Sequence, residues 1–325
     1  MVSLNISDIR AAMESFGDAI LHTDCSLSVP LSKKFSTNIF VKYENRQHTC
    51  SFKVRGAFNK LSKLTLYQKK NGVITMSAGN HAQGVAYNSN KLGIPSTIIM
   101  PDTTPFTKIR STKQMGAEVI IQGSNLLESE IFAKSLAQSR SLNFIHPYDD
   151  IDVIAGQGTI ALEMLTDVPN LDILVVPVGG GGLISGCLVA AKSINPKIKI
   201  VAVEIEKFPS LYNAINKTSL KCSGSTLAEG IAVANVGSIP LSIIRDRIDQ
   251  ILVVSEAAIE RAVSMFALLD KTVAEGAGAA GLAAIIENSN YFSNKNVGLI
   301  LCGGNIDSRM LSSVLMRDMI RQGQV

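Results

Sequence analysis

The sequence predicts an α/β protein with mostly parallel β-sheets that are covered by helices on both faces. Segments rich in β-branched apolar residues alternate with segments of helical periodicity along the 325 residues, and this alternation is typical of βαβ units. A hydrophobic content of 46% is sufficient for a large core. The length allows either two lobes or one large domain.

Eight segments have the composition of strands, and most of them are separated by helix-length segments. The predicted strands are NIFVKYE (38–44), GVITMS (72–77), STIIMP (96–101), AEVIIQG (117–123), DILVVPV (172–178), IKIVAVE (198–204), QILVVS (250–255) and NVGLILC (296–302). Helical periodicity is clear in NLLESEIFAKSLAQS and in LISGCLVAAKSI. Neither an internal repeat nor a linker marks a domain boundary.

Composition argues against nucleic-acid and membrane partners. The net charge is only +4 with scattered Lys and Arg, and aromatic residues make up 5% with no Trp, which disfavours a basic, base-stacking surface. The sequence shows no signal peptide and no apolar run of roughly 20 residues. Free thiols and a cytoplasmic location are expected because no C-x-x-C pair occurs among the cysteines, which are Cys25, Cys50, Cys187, Cys222 and Cys302.

Two short motifs stand where a predicted strand passes into a predicted helix, the position at which open α/β sheets bind ligands. The first is SAGNH (77–81), which lacks the glycine pattern of a nucleotide site. The second is VPVGGGGLISG (176–186), in which Gly179 to Gly182 precede a helix. Backbone N–H groups of such a glycine loop can surround a phosphate. Taken singly, the loop could equally be a flexible turn.

A third motif, HTCSFKVRGAFNKL (48–61), places Lys53 between Phe52 and Val54. Thr49 and Ser51 are predicted to cap the helix that follows. A lone lysine in a first helical turn is usually a solvated charge. Its combination with the two strand-end motifs and with CGGN at 302–305 indicates one type of site.

The chain resembles the threonine dehydratase and serine racemase group of fold-type II pyridoxal-phosphate enzymes over nearly its whole length, and within that group the short, catabolic-type threonine dehydratases. The resemblance rests on SFKVRGAFNKL, SAGNHAQGVA, VIAGQGTIALE, VPVGGGGLISG, LAEGIAV, AEGAGAAGLAA and CGGNID. It implies the two-lobed, tryptophan synthase β-like fold, with a large domain formed by 1–71 and 150–325 and a small domain formed by 72–149. It also implies a homodimer or homotetramer.

The resemblance assigns cofactor-binding roles. Lys53 is expected to attach covalently to pyridoxal 5'-phosphate and to take the substrate's Cα proton, for which burial among apolar neighbours such as Phe52 lowers its pKa in the needed direction. Gly179, Gly180, Gly181 and Gly182 would bind the phosphate. Asn80 would contact the 3-hydroxyl, and Cys302 would face the pyridine nitrogen as a neutral partner that favours elimination.

The same resemblance assigns the substrate. Its carboxylate would meet the turn formed by Ser77, Ala78, Gly79, Asn80 and His81. His81 is expected to fix the loop rather than to act as a general base. The predicted reaction is dehydration and deamination of L-threonine to 2-oxobutanoate and ammonia, and of L-serine to pyruvate and ammonia. The alternatives are a serine racemase with side elimination, a 3-hydroxyaspartate dehydratase and a non-catalytic phosphometabolite-binding protein.

Two positions refine this interpretation. Serine racemases of the group carry a second catalytic serine where this chain has Ala78, and a methyl group cannot exchange a proton, so a dehydratase is predicted.

Relatives that bind Mg²⁺ or Ca²⁺ use a glutamate and an aspartate at positions that correspond to Glu204 and Ser210. Loss of one carboxylate weakens a hard-cation site. Glu204 is therefore the candidate metal ligand, with Glu206 as a nearby second carboxylate, and a site without a divalent cation is the favoured expectation.

Overall fold

The computed structural model describes residues 4–321 and 323. Its strands are β1 (Cys25–Leu27), β2 (Asn38–Lys42), β3 (Val73–Met76), β4 (Ser96–Met100), β5 (Glu118–Ile121), β6 (Asn143–Phe144), β7 (Ile173–Pro177), β8 (Lys199–Ile205), β9 (Gln250–Val254) and β10 (Asn296–Ile300). Its helices are α1 (Ile6–Phe16), α2 (Val29–Phe35), α3 (Lys53–Ser62), α4 (Leu66–Asn71), α5 (Asn80–Lys91), α6 (Phe106–Gln114), α7 (Leu126–Ser139), α8 (Ile151–Asp167), α9 (Gly182–Ile194), α10 (Ser210–Asn216), α11 (Ser238–Ile244), α12 (Glu256–Leu268), α13 (Gly276–Glu287), α14 (Ser289–Phe292) and α15 (Ser308–Arg321).

The α/β class and the mostly parallel sheets are confirmed. Each of the eight predicted segments overlaps an observed strand, whereas β1 and β6 were not predicted. These two strands have three and two residues, which is too short for an alternating pattern to be recognised. β1 is also the antiparallel neighbour of β2.

The larger sheet has the strand order β1-β2-β10-β7-β8-β9. The last strand in sequence, β10, lies between β2 and β7 and runs parallel to both. The carboxyl ends of β2, β10 and β7 therefore meet at one edge of the sheet, where open α/β folds bind ligands.

The smaller sheet has the order β5-β4-β3-β6 and is parallel throughout. Neighbouring residues of β4 point to opposite faces: Ile98 packs in a cluster with Val85 of α5, and Ile99 packs in a second cluster with Ala133 of α7. Helices α5 and α7 thus cover the two faces. All four strands fall within 72–149; the domain boundaries themselves stay a prediction.

Glycines allow helix α8 to pack closely against its neighbours. A Cβ atom added to Gly186 of α9 would lie 2.3 Å from the Ile154 carbonyl oxygen, and one added to Gly158 of α8 would lie 2.8 Å from the Gly186 carbonyl oxygen. On the other side of α8, a Cβ atom added to Gly156 would lie 2.6 Å from the carbonyl oxygen of Arg55 in α3. Helix α3, which begins at Lys53, is consequently held directly against α8.

A cluster of buried charges ties α3 to the surrounding elements. Arg55 of α3 donates to Glu44 at 2.8 Å and to Glu163 of α8 at 2.6 Å, and Lys42 of β2 lies 2.6 Å from Glu163. All four side chains are buried, and two cations balance two carboxylates. Burial opposes ionisation of Glu163, but the hydrogen bonds and charges of Arg55 and Lys42 outweigh it and lower its pKa.

The predicted capping of α3 is wrong. Phe52 is the N-cap residue, and no side-chain hydrogen bond caps the helix. Thr49 and Ser51 precede the N-cap position, and neither hydroxyl accepts a hydrogen bond from the first N–H groups of the helix. Both hydroxyls are buried and have no hydrogen-bond partner.

Among the described helices, none combines the length and apolar character needed to cross a membrane.

Candidate active site

The residues predicted to bind the cofactor and the substrate's carboxylate meet between the carboxyl ends of both sheets. Lys53 opens α3 after β2, Asn80 opens α5 after β3, and Gly182 opens α9 after β7. Cys302 follows β10 and accepts a hydrogen bond at its carbonyl oxygen from the Phe52 N–H at 3.0 Å. Strand order therefore brings together residues that lie far apart in the sequence.

The Lys53 amine lies inside this region. Its Nζ donates to the Pro147 carbonyl oxygen at 2.8 Å and lies 5.2 Å from the centre of the Phe52 ring. Burial lowers the pKa of Lys53 to about 8, against the opposing effects of Cys302 and Glu275. A large fraction of this amine is therefore neutral at mildly alkaline pH, which a nucleophilic amine requires.

The turn before α5 lies beside open space. A Cβ atom added to Gly79 would meet no atom within 4 Å, and the Gly79 N–H donates to the Ser77 hydroxyl at 3.1 Å. Ala78 is half-buried between them. The turn thus offers the start of a helix, with its partial positive charge, to a ligand in the open space.

His81 is buried in the first turn of α5. Its Nε2 lies 3.1 Å from the Ile145 carbonyl oxygen, so this nitrogen carries the proton, and Nδ1 has no partner. Burial and the charge of Lys53 lower the pKa of His81 to about 3. The contact with Ile145 supports the loop-fixing reading of His81.

Asn80 is held from two sides by residues that were not predicted as site residues. Its Nδ2 donates to Glu275 at 2.7 Å, and its Oδ1 accepts from the Asn305 amide at 2.8 Å. Burial raises the pKa of Glu275 to about 7, although the hydrogen bond from Asn80 acts in the opposite direction. Both residues stand in motifs that carry the resemblance, AEGAGAAGLAA and CGGNID, but spacing does not reveal that they meet Asn80.

The tetraglycine loop is buried and opens α9. Gly181 has a φ of +92°, a conformation that favours glycine. A Cβ atom added to Gly180 would lie 2.2 Å from the Tyr148 ring, so only glycine lets the ring approach this backbone. The first N–H groups of a helix have no acceptor within the helix, and this loop can present them to an anion.

The segment 145–149 after β6 was also missed, although it joins several parts of the site. Its carbonyl groups contact His81 and Lys53, its Tyr148 ring packs on the tetraglycine loop, and the Asp149 carboxylate accepts from the Ile239 N–H at 2.8 Å. Most of these contacts use backbone atoms or an aromatic ring. No recognisable pattern of catalytic residue types therefore marks the segment.

Glu204 of β8 contacts the start of α10 through its carboxylate. Its carboxylate accepts from the N–H groups of Leu211 at 2.6 Å and Tyr212 at 2.8 Å and from the Ser210 hydroxyl at 3.2 Å. Burial raises its pKa to about 7 against these hydrogen bonds. Within residues 4–321 and 323, no group of three or more His, Cys, Asp or Glu side chains is arranged to hold a metal ion. The metal-ligand assignment of Glu204 stays a prediction.

The comparison with protein families decides the affiliation of the chain. The model described as "Pyridoxal-phosphate dependent enzyme" matches residues 18–303. The chain belongs to this family.

Relatives within the pyridoxal-phosphate dependent enzymes are similar over most of their length. An L-threonine ammonia-lyase of Thermotoga maritima is 39% identical over 99% of this chain and 80% of its own. An L-threonine dehydratase catabolic TdcB of Staphylococcus aureus is 41% identical over 96% of this chain and 92% of its own.

Solved structures agree with this affiliation. The processed form of threonine deaminase isoform 2 from Solanum lycopersicum superposes with a TM-score of 0.91, at 33% identity, covering 96% of this chain and 86% of its own. Maize serine racemase superposes with a TM-score of 0.90, at 32% identity, covering 99% of this chain and 100% of its own. The fold-type II assignment is confirmed, and both reaction types occur among the similar structures.

The residues present fit pyridoxal phosphate. The aldehyde requires an amine with a lowered pKa, which Lys53 has. The phosphate requires N–H donors at a backbone that no side chain obstructs, and the buried glycines 179–182 offer them at the start of α9. Burial raises the pKa of the Cys302 thiol, so the group expected beside the ring nitrogen is neutral.

Proposed function

We propose that the chain dehydrates and deaminates L-threonine and L-serine, producing 2-oxobutanoate or pyruvate together with ammonia. The observation that carries this proposal is the combination of a desolvated amine at Lys53 with an inert methyl group at Ala78 in the turn that faces open space. The names of the two bacterial relatives support threonine as a substrate.

The cofactor supplies an aldehyde for amine attachment and a ring that withdraws electrons from Cα. In this proposal, Lys53 would hold the cofactor through its aldehyde, and Nζ would be the acceptor of the substrate's Cα proton. The Pro147 carbonyl oxygen orients that amine by accepting its N–H at 2.8 Å. The burial that lowers the pKa of Lys53 keeps enough of the amine neutral for both tasks.

Other side chains bind and orient. The glycine loop 179–182 would bind the phosphate, and Asn80 would donate to the 3-hydroxyl oxygen with the N–H that Glu275 leaves free. Cys302 would face the ring nitrogen without adding a negative charge. A neutral partner there gives a weaker electron sink than a carboxylate would, and this favours prompt loss of the β-hydroxyl over transamination.

The substrate's carboxylate would bind at the turn 77–81. The N–H groups that open α5 and the positive end of the helix dipole both attract an anion. The β-hydroxyl would leave as water with one proton, which balances the proton that Lys53 accepts from Cα. The released enamine then reacts with one water molecule to give the 2-oxo acid and ammonia. The balanced overall reaction converts threonine to 2-oxobutanoate and ammonia without an oxidant.

A direct test uses the purified protein. It should show a visible absorption band, and borohydride reduction should fix a pyridoxyl group to Lys53. Measurement of kcat/KM for L-threonine, L-serine and 3-hydroxyaspartate then ranks the candidate substrates. The comparison must be quantitative, because a pocket that senses one methyl group separates two substrates by only about 1–3 kcal/mol. Protein that cannot be loaded with pyridoxal phosphate would favour the non-catalytic phosphometabolite-binding alternative.

Attachment of the cofactor should depend on pH in a defined way. The pKa of Lys53 is lowered to about 8, so the neutral fraction of the amine rises through that pH and approaches completeness about one unit above it. The attachment rate of pyridoxal phosphate to apoprotein should be about tenfold lower one unit below the pKa than on the plateau. Stopped-flow absorption measures this rate. A rate that keeps rising to the range of an ordinary lysine would contradict a desolvated amine.

Replacement of Ala78 by serine tests the choice against racemisation. Inversion at Cα needs a proton donor on the face opposite Lys53, and Ala78→Ser supplies a hydroxyl there. We expect the ratio of D-serine formation to elimination to rise by about tenfold or more, measured by chiral analysis of products from L-serine. Ser77→Ala is the companion variant, since it removes the neighbouring hydroxyl. An unchanged ratio in a folded, eliminating Ala78→Ser protein would show that this position does not decide the reaction.

The assembly and the cellular location remain part of the proposal. We infer a homodimer or homotetramer in the cytoplasm. All five cysteines are unpaired in the described structure, which supports a reducing compartment. A divalent cation has no role in the proposed reaction.

A further inference from the structure

The Asn305 side chain occupies a junction between three segments. Its Nδ2 donates to the Thr49 carbonyl oxygen at 2.8 Å and to Asn80 Oδ1 at 2.8 Å, with a longer contact of 3.4 Å to Gln83 Oε1. It therefore connects the loop after β10 to the loop before α3 and to the start of α5.

The Thr49 contact fixes the direction of the whole chain of hydrogen bonds. A backbone carbonyl oxygen can only accept, so Asn305 must direct its NH₂ group toward Thr49. The second N–H of that group then requires an acceptor at Asn80, which must present Oδ1. The Nδ2 of Asn80 consequently points away from Asn305 and donates to Glu275 at 2.7 Å.

Close packing keeps these groups in place. A Cβ atom added to Gly303 would lie 2.5 Å from Glu275 Oε1 and 3.1 Å from Asn80 Nδ2. The Glu275 N–H also donates to the Gly303 carbonyl oxygen at 3.1 Å. The segment 303–305 thus packs against both partners of the Asn80–Glu275 hydrogen bond.

We propose that Asn305 is a positioning residue that fixes the polarity of the Asn80 amide, so that Asn80 always offers an N–H to the cofactor's 3-hydroxyl oxygen. This inference rests on the proposed function, in which Asn80 faces the cofactor ring. The anchor is the Thr49 carbonyl group, which does not titrate. The polarity of Asn80 is therefore independent of the ionisation state of Glu275.

Removal of Asn305 would make that polarity depend on pH. Burial raises the pKa of Glu275 to about 7, against hydrogen bonds from Asn80 and from the Asn305 backbone. Below that pH a protonated Glu275 can donate to Asn80 Oδ1 and reverse the amide. The other titratable groups that act on Glu275 are Lys53, Lys108, Glu229, Cys50 and Cys302.

The test compares holoenzyme variants. Asn305→Ala removes the donor, and the isosteric Asn305→Asp replaces it with an acceptor; Gln83→Ala is the matched control because it removes only the 3.4 Å contact. The visible absorption band is recorded on both sides of pH 7, and the dissociation constant of pyridoxal phosphate is measured on each apoprotein.

We expect the band of the wild type and of Gln83→Ala to keep one shape through pH 7, whereas both Asn305 variants change shape with a midpoint near the pKa of Glu275. Loss of one oriented hydrogen bond should weaken cofactor binding by about tenfold. If both Asn305 variants match the wild type in spectrum and affinity, the inference is wrong while the proposed function stands. A wild type that binds no pyridoxal phosphate would overturn both.

Discussion

Lys53→Ala is expected to reduce kcat/KM for L-threonine and L-serine by about 10³-fold or more, because it removes both the nucleophile and the base. The visible band that depends on covalent attachment should disappear as well. The folded structure should persist, since the Lys53 amine makes one hydrogen bond, to Pro147. Ammonia release and the absorption spectrum together measure the effect.

Lys63→Ala is the matched control for this variant. Lys63 follows the same helix, and its amine pairs with Asp152 at 2.8 Å with 44% of the side chain exposed. This change should leave the spectrum and the rates within about twofold of the wild type, as expected for an exposed ion pair. A Lys53→Ala protein that retained wild-type turnover would refute the assignment of Lys53.

The largest expected loss of stability comes from Arg55→Met. The replacement leaves the buried carboxylates of Glu44 and Glu163 without the guanidinium that donates to both of them. Removal of one partner from a buried ion pair costs about 3–5 kcal/mol, because the remaining charge is uncompensated. The free energy of unfolding from urea titration measures this loss.

Arg46→Met is the corresponding control. Arg46 pairs with Asp24 at 3.2 Å, and these side chains are 51% and 71% exposed. The expected loss is at most about 1 kcal/mol. Equal losses for the two variants would show that the buried cluster contributes no more than a surface pair. A second variant, Glu163→Gln, keeps the shape of the cluster and tests whether charge or volume is responsible.

Much of the chemistry could be predicted because it depends on residue type within short segments. The amine of Lys53 between apolar neighbours, the glycines 179–182 after a strand, and Ala78 in the SAGNH turn are all visible in the sequence. The structure brings Lys53, Asn80 and the glycine loop together between the carboxyl ends of the two sheets. The assigned roles of these residues in binding and catalysis stay predictions that the experiments above address.

One error was local, and the omissions concern contacts across the fold. The hydroxyls of Thr49 and Ser51 were predicted to cap α3, but the helix begins at Lys53, beyond their reach. Glu275 and Asn305 were not recognised as neighbours of Asn80, from which they are separated by 195 and 225 residues. Nothing in the sequence around Arg55 indicated that its side chain lies in a cluster of four buried charges.

The sequence by itself determined the fold class and the kind of chemistry, because periodicity and motif composition report on residues within a few positions of one another. Only the tertiary structure decided which polar groups hold Asn80, which aromatic ring covers Gly180 and which charges neutralise Arg55. These pairings follow from the placement of β10 between β2 and β7 and from the close packing of α3 on α8. Such long-range neighbours have no local pattern, since packing across the whole chain selects them.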